Sequence, residues 1–183
     1  MNMKTLRFAT LGLALLLLTS CNTVSSWSRN AHPLVLTLEI TADNDTSFES
    51  IRGQIILKNQ SDSDLLVNGR LLVLPQQAPP RLAVVLLLIN DSAGNIFDTG
   101  NHKIDYDSPR EKDLVLLKPG EQIVKFFYLS GWFFPSEFQK GEPYTLTVIY
   151  QNDFEITKTI DGSDVSSWVG SLRSNEETFV ILP

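Results

Sequence analysis

Leu34, Leu36, Leu38 and Ile40 fall on one side of a period-two alternation, with Val35, Thr37 and Glu39 on the other, the pattern of a half-buried β-strand. After the turn-forming run Asp43-Asn44-Asp45-Thr46-Ser47, a second strand sets Ile51, Gly53, Ile55 and Leu57 against Arg52, Gln54, Ile56 and Lys58. The polar loop Asn59 to Asp64 leads to two short apolar pieces, Leu65 to Val67 and Leu71 to Leu74, parted by Asn68-Gly69. An Asn-Gly pair between apolar runs predicts a hairpin. Pro75, Pro79 and Pro80 then exclude helix and central strand alike. Leu82 to Ile89 is unbroken in its apolarity, a strand length that predicts cover on both faces, with a short buried helix as the competing reading. The turn after it, and Ile96-Phe97 beyond, favour the strand.

Asp98 to Lys112 reads as the longest loop. Further strands are expected over Leu114 to Leu117, Ile123 to Leu129 and Tyr144 to Tyr150, the first two separated by the Pro119-Gly120 break, and a last one over Phe179 to Leu182. Nowhere does a helical period persist beyond about two turns, and strands recur with turn signals at roughly 8–12 residues. The expected fold class is all-β, an antiparallel β-sandwich over residues 33–183.

The N-terminus follows another logic. Lys4 and Arg7 precede the mostly apolar run Phe8 to Leu18, which is too short to span a bilayer, since a span needs about 20 residues. A cationic start, a short apolar core and small residues at its end organise a secretory signal. Leu18-Thr19-Ser20-Cys21 resembles the lipobox of bacterial lipoproteins, which implies cleavage after residue 20 and a lipid thioether on Cys21. A thiol suits that role because sulfur is the better nucleophile. By the same resemblance Asn22, which is not Asp, favours the outer membrane. Asn22 to His32 is polar and without period, as a tether should be, giving an expected order of leader 1–20, lipidated tether 21–32 and folded domain 33–183.

Composition narrows the partners. The chain carries 21 acidic and 15 basic side chains, and loss of the leader would remove Lys4 and Arg7 and no carboxylate. Such an excess excludes nucleic acid and adhesion to anionic headgroups by charge alone. Cys21 is the only cysteine, so no intrachain disulfide is available and one core must supply the stability.

Leu116 to Asn152, "LLKPGEQIVKFFYLSGWFFPSEFQKGEPYTLTVIYQN", resembles the Leu-x-Pro-Gly-Glu…Gly-x-Tyr-x-Leu-x-Val-x-Tyr run of a secreted immunoglobulin-like β-sandwich, the N-terminal domain of deuterolysin-type peptidyl-Lys metalloendopeptidases and their stand-alone relatives. Ser166 to Leu182 is similar to the Trp-x-Gly-x-Leu-x-Ser-Asn segment entering the last strand of that family. The resemblance implies an immunoglobulin-like sandwich. Tyr144, two residues before Leu146, matches the position of a tyrosine corner, with an apolar pair expected in place of the inter-sheet disulfide and Ile55 or Leu57 as candidates opposite Leu146. No active-site residue carries over. A metallopeptidase needs a His-Glu-x-x-His helix, and His32 and His102 stand in no such context.

The remaining chemistry is sparse. The doublets Asp43/Asp45, Asp62/Asp64 and Asp105/Asp107 lack calcium-loop spacing and read as solvated turns, and no Gly-x-Ser-x-Gly elbow occurs. No metal or cofactor is expected. Sequons begin at Asn44, Asn59 and Asn90. The one dense aromatic cluster outside a strand is Trp132, Phe133, Phe134 and Phe138, a candidate interaction surface if exposed together and a core plug if packed over the sandwich edge. Trp168 reads as a core plug before the last strand. The functional expectation is a non-enzymatic, membrane-anchored extracytoplasmic module that binds the bilayer through acylated Cys21 and an envelope protein through its domain. The alternative is a proteinase inhibitor or prodomain-like regulator of a secreted peptidase.

Overall fold

The computed structural model describes residues 32–41, 47–75, 84–96 and 110–182. Cys21, the leader, the tether before His32, Asn44, Asp43/Asp45, Asp105/Asp107 and His102 lie outside the described residues.

Twelve strands are described: β1 (Leu34–Thr41), β2 (Arg52–Asn59), β3 (Leu65–Asn68), β4 (Leu72–Pro75), β5 (Val84–Asn90), β6 (Leu114–Leu117), β7 (Gln122–Tyr128), β8 (Pro143–Asn152), β9 (Thr157–Ile160), β10 (Ser163–Ser166), β11 (Gly170–Arg173) and β12 (Glu177–Val180). Among the described residues the only helices are three-residue 3-10 turns. Of four sheets among the described residues, the two larger run β1-β2-β7 and β11-β8-β5-β4, with β12 also on β8, and β3-β6 and β9-β10 are two-stranded. The β1-β2-β7 and β11/β12-β8-β5 pairs are antiparallel, and β4 joins β5 in parallel.

Each alternation read from sequence delivers its apolar side to one shared core. Leu36 and Leu38 of β1, Ile55 and Leu57 of β2 and Phe127 of β7 meet Val85, Leu87 and Ile89 of β5 and Leu146, Val148 and Tyr150 of β8. Burying each such side chain contributes about 1.5–3 kcal/mol. The result is an all-β sandwich whose two sheets hold one another, with no disulfide in the core. The strand reading of Leu82 to Ile89 holds over β5: Val85, Leu87 and Ile89 are buried, and Leu86 and Leu88 are half-buried on the opposite face.

The tyrosine corner forms as expected. The Tyr144 hydroxyl accepts a hydrogen bond from the Gln139 N–H at 2.7 Å, tying the β7–β8 connection to the base of β8, and Leu146 two residues on is fully buried with Ile55 and Leu57 in the same core.

One expectation fails. Asn68-Gly69 does not close a hairpin: β3 pairs with β6, while β4 lies parallel to β5 in the other sheet. The reason is tertiary. The Gly69 N–H donates to the Asp113 carbonyl, and a Cβ on Gly69 would stand 2.4 Å from a Val115 methyl, so glycine is needed for close approach to β6 rather than for a two-residue turn. The switch between sheets occurs at Leu71, buried with φ 37°, a left-handed conformation that a bulky residue keeps only where its burial demands it.

A hairpin also appears where none was read. β9 and β10 pair through Asp161 (φ 49°) and Gly162 (φ 80°), the two positive-φ residues of a tight primed turn.

Candidate functional site

The aromatic cluster divides. Phe138 lies 5.1 Å from Phe48, 5.9 Å from Phe133, 5.0 Å from Tyr144 and 6.1 Å from Phe179, mostly edge to face, and Tyr144 stacks on Phe179 at 5.7 Å. Phe133 and Phe138 are therefore core, and Trp132 is half-buried against that core. Only Phe134 faces solvent, at 62% exposure. The four do not form one exposed patch, because the short loop between β7 and β8 must fill the end of the sandwich with its own rings. Phe134 is nonetheless held: its N–H donates to Glu137 Oε2 at 2.8 Å, and the loop around it is pinned by Tyr144.

The family-like motif before the last strand is occupied in the same way. Trp168 stacks on Tyr150 at 5.9 Å, and a Cβ on Gly170, whose φ is 151°, would meet that indole at 2.8 Å. Leu172 is buried. Ser174 accepts the Val148 N–H at 3.0 Å where β11 breaks into β12. Asn175 clasps both backbone groups of Leu38, accepting its N–H and donating to its carbonyl at 2.9 Å each, and so stitches β1 to the second sheet. Every residue of the motif has a packing or bonding task.

Burial pushes the Tyr150 phenol above its ordinary range, and its hydroxyl donates to the Asn68 carbonyl at 3.1 Å, a bond that only the neutral phenol can make. A small cleft of roughly 120 Å³ is lined by Asp91, Ser92, Glu137, Gln139, Glu142 and Tyr144. Three of its polar side chains, those of Asp91, Glu137 and Tyr144, already serve the turns. Asp91 accepts from the Asn95 side chain and backbone and from the Ala93 N–H, which hold its carboxyl below the usual value. Glu137 and Tyr144 are engaged as described above. Among the described residues no group of three or more His, Cys, Asp or Glu side chains is placed to hold a metal ion. His32 is exposed, and Asp62 and Asp64 are exposed on the Asn59–Asp64 loop. Asn59 itself is fully buried, with its amide bonded within the fold, so that sequon is closed to modification in the folded chain.

What remains open is the outer face of β7. Val124 (36%), Phe126 (65%) and Tyr128 (49%) stand side by side on it. The ladder to β2 sets Phe126 opposite Gln54, Val124 opposite half-buried Ile56, and Tyr128 opposite Arg52, whose guanidinium sits 5.4 Å from the Tyr128 ring centre. The sequence pattern places these residues in a strand and marks no site among them. The available signal was that Ile123 to Leu129 is apolar on both parities except at Lys125. The chain matches no protein-family model and no curated protein.

Proposed function

We propose that this protein is a lipid-anchored, extracytoplasmic binding module, held at the outer membrane through Cys21 and presenting the β1-β2-β7 sheet to an envelope protein on the periplasmic side. The observation that carries the binding reading is the Val124, Phe126 and Tyr128 row, a contiguous aromatic and apolar strip on a strand that a self-sufficient sandwich would make polar. The anchor rests on the lipobox-like Leu18-Thr19-Ser20-Cys21. Acyl labelling tests it: Cys21→Ser should abolish incorporation, and unchanged labelling refutes the anchor. A photo-crosslinking residue at position 126 tests the surface. It should give a discrete adduct in cells that the same residue at exposed Ser171 does not; no adduct at 126 refutes binding through this face.

A second reading, regulation of a secreted peptidase, is favoured by Phe134, an exposed aromatic residue on a loop braced by Glu137, Tyr144 and the Phe133–Phe138 pair. A rigid loop offering one large side chain suits the cleft of an endopeptidase selective for aromatic residues. Slowed cleavage by such an enzyme, lost in Phe134→Ala, is its expected outcome; unaffected cleavage at excess protein dismisses it.

A further inference from the structure

β7 is an edge strand: among the described residues nothing pairs with its side away from β2. Alternate residues of a strand direct N–H and C=O to opposite sides. The Leu129 N–H bonds the Ile51 carbonyl at 3.2 Å, which fixes the parity. Ile123, Lys125 and Phe127 therefore bond β2, while Val124, Phe126 and Tyr128 aim their N–H and C=O groups at the free edge. On β7 the residues with exposed apolar side chains are thus the ones whose backbone groups are unpaired among the described residues. Face and edge offer a single surface, apolar above and hydrogen-bonding at the side.

Two properties of the strip state what it takes. Across β1, β2 and β7 the charged residues are Arg52, Lys58 and Lys125 against Glu39, so the sheet is cationic within a chain of net charge −6. Lys125 lies on the inner-face parity of Ile123 and Phe127 yet is exposed at the edge. An inward-parity lysine on an edge strand repels a like strand and accepts a strand with a carboxylate opposite it. A second copy would bring a second cationic sheet edge to the first, on a protein already acidic elsewhere.

We infer that β7 accepts an extended segment of a partner protein by strand addition, with apolar residues beside Val124 and Phe126 and an Asp or Glu opposite Lys125. The inference rests on the binding-module reading and gives its partner a chemistry. Backbone bonds at Val124, Phe126 and Tyr128 supply register-independent affinity, and the Lys125 pair and the apolar row select sequence.

The test uses the full chain in mild detergent and the fluorescein-labelled peptide Thr-Val-Glu-Val-Thr-Val-Thr, with its Glu-to-Lys counterpart. The Glu peptide should bind at least tenfold more tightly than the Lys peptide, and Lys125→Glu should invert that order. Hydrogen exchange on the unaltered protein should show the Val124, Phe126 and Tyr128 amides fast alone and slowed by the peptide. Val124→Pro removes an edge N–H that β2 does not use and should weaken binding at least tenfold. Equal binding of the two peptides, or no added amide protection, overturns the inference. So does a dimer of the chain alone that Val124→Pro dissolves, since the edge then belongs to a second copy. Adducts from position 126 that persist in Val124→Pro would remove strand addition and leave the binding-module reading standing; loss of adducts from unaltered β7 removes both.

Discussion

Asn59 ends β2 fully buried, and its side chain is saturated: Nδ2 donates to the Ser63 carbonyl at 2.8 Å and the Leu117 carbonyl at 2.9 Å, while Oδ1 accepts from the Ser61 N–H at 2.9 Å and hydroxyl at 2.7 Å. Its backbone closes on the turn before β7, donating to the Glu121 carbonyl and accepting from the Gly120 N–H, each at 3.0 Å. Asn59→Asp is nearly isosteric and turns the donating end into an acceptor facing two carbonyls. Burial without donors disfavours the carboxylate, so the folded-state pKa rises above the ordinary value of about 3.9. Folded protein then binds the proton more tightly than unfolded chain. Stability is fully present below about pH 4 and is lost as pH rises toward the folded-state pKa, at about 1.4 kcal/mol per unit. The expected loss is about 1–2 kcal/mol at pH 4, where the acid still donates one bond, and about 3–4 kcal/mol at pH 7. Asn59→Ala, with nothing to titrate, should lose about 2–3 kcal/mol at both. Urea unfolding followed by tryptophan fluorescence at pH 4, 5.5 and 7 reads all three proteins. An Asp variant equally destabilised at pH 4 and 7 would refute the side-chain bonding scheme at Asn59.

Gly53 lies under Phe127, where a Cβ would stand 2.0 Å from the ring tip; Gly53→Ala should cost about 2 kcal/mol, and Phe127→Leu should absorb most of that loss, so additive melts of the double variant count against the packing. Tyr150 is buried with a raised pKa, so wild-type stability should fall as pH climbs above about 10 and Tyr150→Phe should flatten that limb at a constant cost of about 1 kcal/mol; identical alkaline profiles oppose the assignment. Asn175→Ala should lose about 1–2 kcal/mol in urea by freeing the Leu38 backbone groups, and no change would mean the clasp contributes nothing in solution.

The parts of this fold legible in its sequence are those fixed by near neighbours. Period-two alternation in β1, β2 and β8 needs only a core on one side, and Tyr144 reaches back just five residues for its bond. Asn68-Gly69 misled because a local turn signal lost to a distant contact with Val115 and Asp113. The parallel pairing of β4 with β5 leaves no mark that a strand reading can use. The Asp161-Gly162 pair is a turn signal, but Thr157 to Ser166 is too polar to announce the strands on either side of it. The break between β11 and β12 depends on what Ser174 and Asn175 bond, which spacing alone does not state.

The candidate site was hardest to see because its signal is an exception within a pattern that otherwise works. Both β5 and β7 are apolar on both parities, the composition of a strand covered on both faces. In β5 that expectation is met within the chain, where Leu86 and Leu88 are half-buried. In β7 it is not: Phe126 and Tyr128 keep the composition of buried residues while standing in solvent at 65% and 49% exposure. Motif residues such as Trp168, Gly170 and Asn175 drew attention and prove fully occupied by the fold, so they carry little information about activity. The β7 residues left unoccupied, with backbone unpaired among the described residues at the same positions, are where function has room to act. A strand with the composition of a buried one, uncovered among the described residues, is the observation on which the proposed partner segment rests.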